Sequence, residues 1–306
     1  MKKLLIEEIV KQFENPLSIS PLKMGLSDRK IFRIEFSSGE TIIGVINENI
    51  EENLAYFHFN DCLKSIGFNT PEILYKNRDN NIYFLEDLGE NTVFELSKKV
   101  DKKNVLNLAV KIAEDLPIIL FEMDRVINYN FCYQTEYFNS KAIEKDISLF
   151  EKYGAEIIPS NLKTTIDNLN HTILNSDICN HYCFLYRDFQ QRNIMIRDHK
   201  RYYIDFQSGR KGNPWYDIAS YLFSSSNILD HGSFETILKA YHSSLINYLK
   251  ISFDESVYKI YQNGLIRVQQ MLGRYAEYFK RTNISQKEKQ FKVIKNLEQI
   301  VSYLQN

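Results

Sequence analysis

Apolar residues recur along this chain with two different spacings, and the change from one to the other divides it. MKKLLIEEIVKQF opens with a helical spacing over roughly residues 3–14, after which Pro16 and Pro21 break the pattern. Ile31–Phe36 and Thr41–Ile46 are rich in β-branched and aromatic residues, and Ser37-Ser38-Gly39-Glu40 between them reads as a hairpin turn. Glu51-Glu52-Asn53 then opens a helix with Leu54, Ala55, Phe57, Phe59, Cys62 and Leu63 on or near one face. Pro71–Tyr75 and Ile82–Leu85 are two further strands, and Glu86-Asp87-Leu88-Gly89 closes the β-rich part. From about residue 101 the spacing is helical: Val105, Leu106, Ala109, Ile112, Ala113 and Leu116 recur at three and four, with an end expected at Pro117. Residues 119–150 are rich in aromatics, and three amphipathic helices are expected from about Ser233 to the end.

One stretch interrupts the helical part. In YRDFQQRNIMIRDHKRYYIDFQSGRKGNPWYD, residues 186–217, Ile194–Ile196 and Tyr202–Ile204 read as short strands around the charged turn 197–200. Such a hairpin brings Asn193, entering the first strand, close to Asp205, leaving the second. Asp188 precedes Asn193 by five residues. Phosphoryl transfer needs a carboxylate to orient the attacking hydroxyl and hard oxygen ligands to hold magnesium against nucleotide phosphates. Asp188 suits the first role; Asn193 and Asp205 suit the second.

Arg187-Asp188, Asn193, Ile204-Asp205-Phe206-Gln207, Gly212 and Tyr216-Asp217-Ile218-Ala219-Ser220 together resemble the aminoglycoside phosphotransferase and choline kinase superfamily. RDFQQRNIM and YYIDFQSGRKG are most similar to its bacterial N-acetylmuramate and N-acetylglucosamine anomeric kinases. The resemblance implies an α+β, bilobal, protein-kinase-like fold. Residues 1–88 would form an antiparallel-sheet lobe of about five strands and one packed helix, and 89–306 a mostly helical lobe. It implies ATP, or another nucleoside triphosphate, with Mg2+ as cofactor, and a small-molecule acceptor, a sugar in the closest branch. Ser27, Asp28 and Arg29 then fall where the phosphates are covered, and Glu86 and Leu88 where adenine meets the interlobe linker. Glu136, Gln207, Arg210 and Arg274 become acceptor-binding candidates, while Arg187 and Asp217 support the catalytic loop, Asp217 also as the cap of the helix after it.

Two departures stand out. Tyr186 occupies the place of the family's usual histidine, and Thr41–Asn47 lacks the strand lysine that pairs with nucleotide phosphates. Arg29, Lys30 and Arg33 are each able to supply that charge, with Glu52 a candidate partner, and the sequence does not choose among them. These departures favour a nucleotide-binding pseudokinase as a rival reading; the intact Asp188, Asn193 and Asp205 weigh against it. A choline- or aminoglycoside-type kinase is a second rival, and a protein kinase a third, without a recognisable activation segment.

Composition narrows the field. The 306 residues are 44% hydrophobic and 25% charged, ample for a large core. Lysine plus arginine (38) nearly balance aspartate plus glutamate (39), so no net field draws the chain to nucleic acid or an anionic membrane. The acidic residues of the first helix are unlike a signal peptide, and no run approaches the ~20 apolar residues of a membrane span; a cytoplasmic enzyme is expected. The four cysteines make no disulfide framework, and Cys179-Asn180-His181-Tyr182-Cys183 offers too few ligands for a structural zinc. Nothing in the sequence sets the oligomeric state.

Overall fold

The computed structural model of the chain describes residues 2–22, 29–176, 178 and 182–306. Ser27 and Asp28, expected at the phosphates, and Cys179 and His181 of the cysteine cluster lie outside the described residues.

After helix α1 (Lys2–Gln12), strands β1 (Pro16–Pro21), β2 (Lys30–Phe36), β3 (Thr41–Ile46), β4 (Ile73–Lys76) and β5 (Ile82–Glu86) form one antiparallel sheet in the order β1-β2-β3-β5-β4. The two prolines expected only to break a helix bound β1 instead, which works because β1 is an edge strand with one side free of ladder bonds. Period-two alternation gives the sheet two apolar faces. On the outer face Ile34, Phe36, Ile42, Ile46, Ile82 and Phe84 bury against Leu5 and Ile9 of α1. The inner face packs on α2 (Ile50–Ser65), so the sheet carries two helices where one was expected.

The helical part comprises α3 (Val93–Ser97), α4 (Lys102–Val126), α5 (Ser140–Tyr153), α6 (Ser160–Leu174), α7 (Trp215–Phe223), α8 (Phe234–Leu245), α9 (Phe253–Thr282) and α10 (Lys287–Gln305). Helix α4 does not end at Pro117 but runs nine residues beyond it. A mid-helix proline removes one backbone bond, yet Leu116, Ile119, Leu120 and Met123 around it are fully buried. Packing outweighs the local stop signal. Helix α9 is central, packed on α5, α7 and α10. The inner core runs without a break from the sheet into the helices: Tyr56 of α2 stacks on Phe206 at 4.9 Å.

Between α6 and α7 lie β6 (Cys183–Leu185), β7 (Ile194–Arg197), β8 (Lys200–Tyr203) and β9 (Arg210–Gly212), pairing as β6–β9 and β7–β8. Asp198 and His199 both have positive φ (50° and 62°), the two-residue hairpin geometry that matches strand twist. The glycines of Gln207–Gly212, expected in a flexible turn, serve close approach instead. A Cβ on Gly209 would stand 2.5 Å from the Phe184 ring, and one on Gly212 2.5 Å from Leu185. Among the described residues no helix is long and apolar enough to cross a membrane.

Candidate active site

The β7–β8 hairpin brings the three expected residues together. Ile204 N–H donates to the Asn193 carbonyl at 3.0 Å, closing the hairpin's base. The Asn193 amide donates to the Asp188 carbonyl at 2.8 Å and reaches Asp205 Oδ2 at 3.3 Å. Its Nδ2 is thereby committed, which leaves Oδ1 as the acceptor. Arg187 and Asp205 sit at φ 79° and 66°, a region that costs non-glycine residues about 1–3 kcal/mol and is kept where the surroundings dictate it.

Those surroundings centre on Tyr186 and Asp217. Asp217 is fully buried and accepts from the backbone N–H of Tyr186 (2.6 Å) and Arg187 (2.9 Å). Burial pushes its carboxyl up to about 7, against the pull of those two donors. It does not cap its helix, as expected; α7 begins two residues earlier and Asp217 turns back onto the loop. Tyr186 is also fully buried, its hydroxyl donating to the Ile204 carbonyl at 2.5 Å. The tyrosine thus ties the loop that carries Asp188 to the segment that delivers Asp205. The Arg187 guanidinium lies over the Phe138 and Tyr216 rings and donates to the Asp146 carboxylate at 2.5 Å.

On the sheet side, the strand without a lysine turns an apolar residue inward. Arg29, Ile31 and Arg33 share the inner face of this edge of the sheet, where Ile31 pairs with Val45. Val45 is buried and apolar. A cation reaches Asp205 from just before β2: Arg29 donates to Asp205 Oδ1 at 2.5 Å and lies 3.6 Å from Glu52 of α2. Removal from water alone would raise the Asp205 carboxyl, but Arg29 and hydrogen bonds from Gln207 and Asn193 hold it below the usual range. Arg33 has a different task, gripping Asp87 through two bonds (2.6 and 3.1 Å) and the Gly89 carbonyl, so β2 clamps the linker. Lys30 is exposed.

The remaining expected residues fall in several places. Glu86 ends β5 and pairs with Arg197 at 2.7 Å. Leu88 is buried, and among the described residues its backbone N–H and C=O have no partner. Gln207 sits with the metal-ligand candidates, its amide donating to Asp205 Oδ1 (2.9 Å) and Glu52 (3.3 Å). Arg210, read from sequence as an exposed basic turn, is 5% exposed and donates only to neutral oxygens, those of Gln134, Thr135 and Ser208. Burial, with Arg187 adding repulsion, brings its guanidinium down to about 10. Glu136 is exposed; its backbone carbonyl accepts from Lys211 N–H, fastening the aromatic segment to β9. Arg274 is half exposed and paired with Glu277 one turn on. Seven residues before it on the same helix, Arg267 is 3% exposed and donates to Asp188 Oδ1 at 3.1 Å. Sequence reading passed over Arg267, although a lone charge among Leu265, Ile266, Val268, Met271 and Leu272 is the signal that would have found it.

The site fits a divalent cation. Asp205 offers a carboxylate, Asn193 a free Oδ1, and Gln207 Oε1 is a buried oxygen with no partner. These are hard oxygen donors of the kind magnesium takes. Among the described residues no three His, Cys, Asp or Glu side chains cluster as a self-sufficient metal site, so phosphate and water would have to complete the shell.

Residues 165–253, which hold this whole hairpin and α7, match the model of the phosphotransferase enzyme family. No curated protein matches the chain in sequence. Solved structures match over its full length at low identity. The GDP and kanamycin complex of APH(2")-IIia has a TM-score of 0.68 at 12% identity, covering 99% of this chain and 98% of the other. Choline kinase LicA from Streptococcus pneumoniae gives 0.64 at 16%, covering 99% of both. Amicoumacin kinase hAmiN in complex with AMP-PNP, Ca2+ and Ami gives 0.63 at 11%, covering 99% and 93%. The chain therefore has the kinase-like fold of these phosphotransferases, with the sequence pattern of the phosphotransferase enzyme family in the segment that builds the catalytic loop.

Proposed function

We propose that the protein transfers the γ-phosphoryl group of ATP, or another nucleoside triphosphate, to a hydroxyl of a small molecule. One observation carries this reading: Asn193 bridges the Asp188 backbone carbonyl and the Asp205 carboxylate, and Arg29 joins that carboxylate to Glu52. Asp188 orients the acceptor hydroxyl and takes its proton. Asn193 and Asp205 hold magnesium, and Gln207 flanks them. Arg29 replaces the strand lysine as the cation for the phosphates, and Glu52 is its partner. The backbone of Leu88 is open to the adenine edge, and Glu86 fixes the linker's start. Bound magnesium supplies positive charge that offsets charge developing on the transferring phosphoryl group. The proposed division of labour gives residues 1–88 the nucleotide and 89–306 the acceptor. The enzymes named in the comparisons act on aminoglycosides, choline and amicoumacin, a range that supports a small-molecule acceptor.

For the acceptor we favour the anomeric hydroxyl of an amino sugar such as N-acetylmuramate or N-acetylglucosamine. Sequence resemblance is the main support. Physical support comes from Arg210, a buried guanidinium beside Ser208 that donates only to neutral oxygens. A polycation is disfavoured beside it; a neutral or carboxylate-bearing sugar is not. Tyr133, half-buried near both Glu52 and Asp188 with its hydroxyl 3.3 Å from Ser208, gives an aromatic face for sugar C–H groups. A coupled ADP-release screen over sugars, choline, ethanolamine, homoserine and aminoglycosides tests this, with product position read by phosphorus NMR. Phosphate on choline or an aminoglycoside, with none on any reducing sugar, refutes the amino-sugar choice. No ADP release with any acceptor, alongside intact nucleotide binding, refutes transfer itself.

A further inference from the structure

Every expected member of the catalytic group comes from one short stretch, but the Asp188 carboxylate is fastened from elsewhere. The neighbouring Arg187, next to the aspartate in sequence, is committed to Asp146 and Tyr216 and leaves the aspartate alone. Arg267, on the central helix α9, donates to Asp188 Oδ1 at 3.1 Å and to Gln270 at 3.0 Å. No other side chain among the described residues hydrogen-bonds that carboxylate, and Oδ2 has no partner there. The two ends differ in exposure: the Arg267 side chain is 4% exposed and the Asp188 side chain 32%. A buried arginine on a helix packed against three others is a fixed point. An aspartate held by one oxygen and open at the other is oriented without being used up.

We propose that Arg267 is a positioning residue for phosphoryl transfer: it grips Asp188 Oδ1 so that Oδ2 faces the acceptor hydroxyl. This rests on the phosphotransferase reading given above. A carboxylate on a strained loop has rotamers that point away from the acceptor, and small misplacement of a catalytic group costs on the order of a hundredfold in rate. Because Arg267 does not touch the nucleotide-binding cluster of Arg29, Glu52 and Asp205, its loss should spare nucleotide affinity.

The test uses the full chain with two acceptors, water (as ATP hydrolysis) and N-acetylglucosamine, and compares Arg267→Met, Arg267→Lys, Asp188→Asn and the double variant Arg267→Met/Asp188→Asn. We expect Arg267→Met to lower kcat about a hundredfold, with Mg-ATP affinity by calorimetry within about threefold of wild type, and Arg267→Lys to recover much of the loss. In the Asp188→Asn background the Arg267→Met change should add little, since a residue acting through Asp188 has nothing left to position. Turnover near wild type in Arg267→Met overturns the proposal. So does a further full loss in the double variant, which would place Arg267 on a separate path, or parallel collapse of nucleotide binding in both the Met and Lys variants, which would make its role structural. A wild type inactive toward every acceptor in the broader screen fails earlier and differently: it removes the phosphotransferase reading, and this inference with it.

Discussion

Arg29, just before β2, donates to Asp205 Oδ1 at 2.5 Å, so that a side chain from the first part of the chain reaches the oxygen a metal ion would use. Charge-assisted contacts of this kind are strong, and the carboxylate oxygen that holds the guanidinium is not free for magnesium at the same time. Nucleotide phosphates offer Arg29 an alternative partner, and its move to them would open Asp205. Arg29→Gln should therefore have opposite effects on two ligands. Affinity for Mg-nucleotide falls by about tenfold or more, while affinity for Mn2+ alone rises. Calorimetry for the first and electron paramagnetic resonance for the second decide it; equal weakening of both would show that Arg29 does not compete for Asp205.

Asp188→Asn keeps the shape of the loop and removes the proton acceptor. The Asp188 backbone carbonyl that receives Asn193 is unchanged, so nucleotide and metal binding should persist while turnover drops about a hundredfold or more. The readout is ADP release under saturating nucleotide with parallel binding titrations. A variant with near-native turnover takes Asp188 out of the chemistry.

Asp205→Ala should weaken magnesium-dependent nucleotide binding more than Asn193→Ala, because the carboxylate carries formal charge and the amide does not. Without magnesium the order changes. Loss of Asp205 removes one carboxylate from Arg29, which keeps its contact with Glu52, and the positive charge no longer offset by Asp205 favours phosphates. Titrating nucleotide in magnesium and in EDTA separates the two cases. Wild-type affinity indifferent to magnesium would defeat the metal-ligand assignment.

Much of this site was legible because its parts are local. Asp188, Asn193 and Asp205 lie within eighteen residues, and two short apolar strands with a charged turn between them dictate that they meet. What the sequence did not disclose depends on long-range packing. That Arg29 meets Asp205 while Arg33 meets Asp87 follows from long-range neighbours that the spacing does not show. Arg267 reaches Asp188 from seventy-nine residues away because α9 packs against α7, and no local spacing encodes that. Arg210 was misread for a related reason. Two flanking glycines look like turn chemistry, but here they let β9 press onto β6 and bury the arginine. Tyr186 was legible as a departure from the resembled pattern, but the bond of its hydroxyl to the Ile204 carbonyl was not.

Asp217 yields a prediction about pH. Its carboxyl is buried, and burial brings it to about 7, against about 4 in an unfolded chain. Between those values the folded protein keeps a proton that the unfolded chain has released. Stability from this group is therefore present in full below about pH 4 and is lost as pH rises toward 7. Above 7 both states are ionised and the loss is complete. Asp217→Asn cannot ionise, so the difference in unfolding free energy, wild type minus variant, should decline by about 1 kcal/mol per pH unit across that window and level off beyond it. Other carboxylates titrate alike in both proteins and cancel in the difference. Urea unfolding at several pH values from 4.5 to 8 supplies the measurement. A difference that stays flat over the whole range would mean that Asp217 is ionised throughout, its two backbone donors outweighing burial.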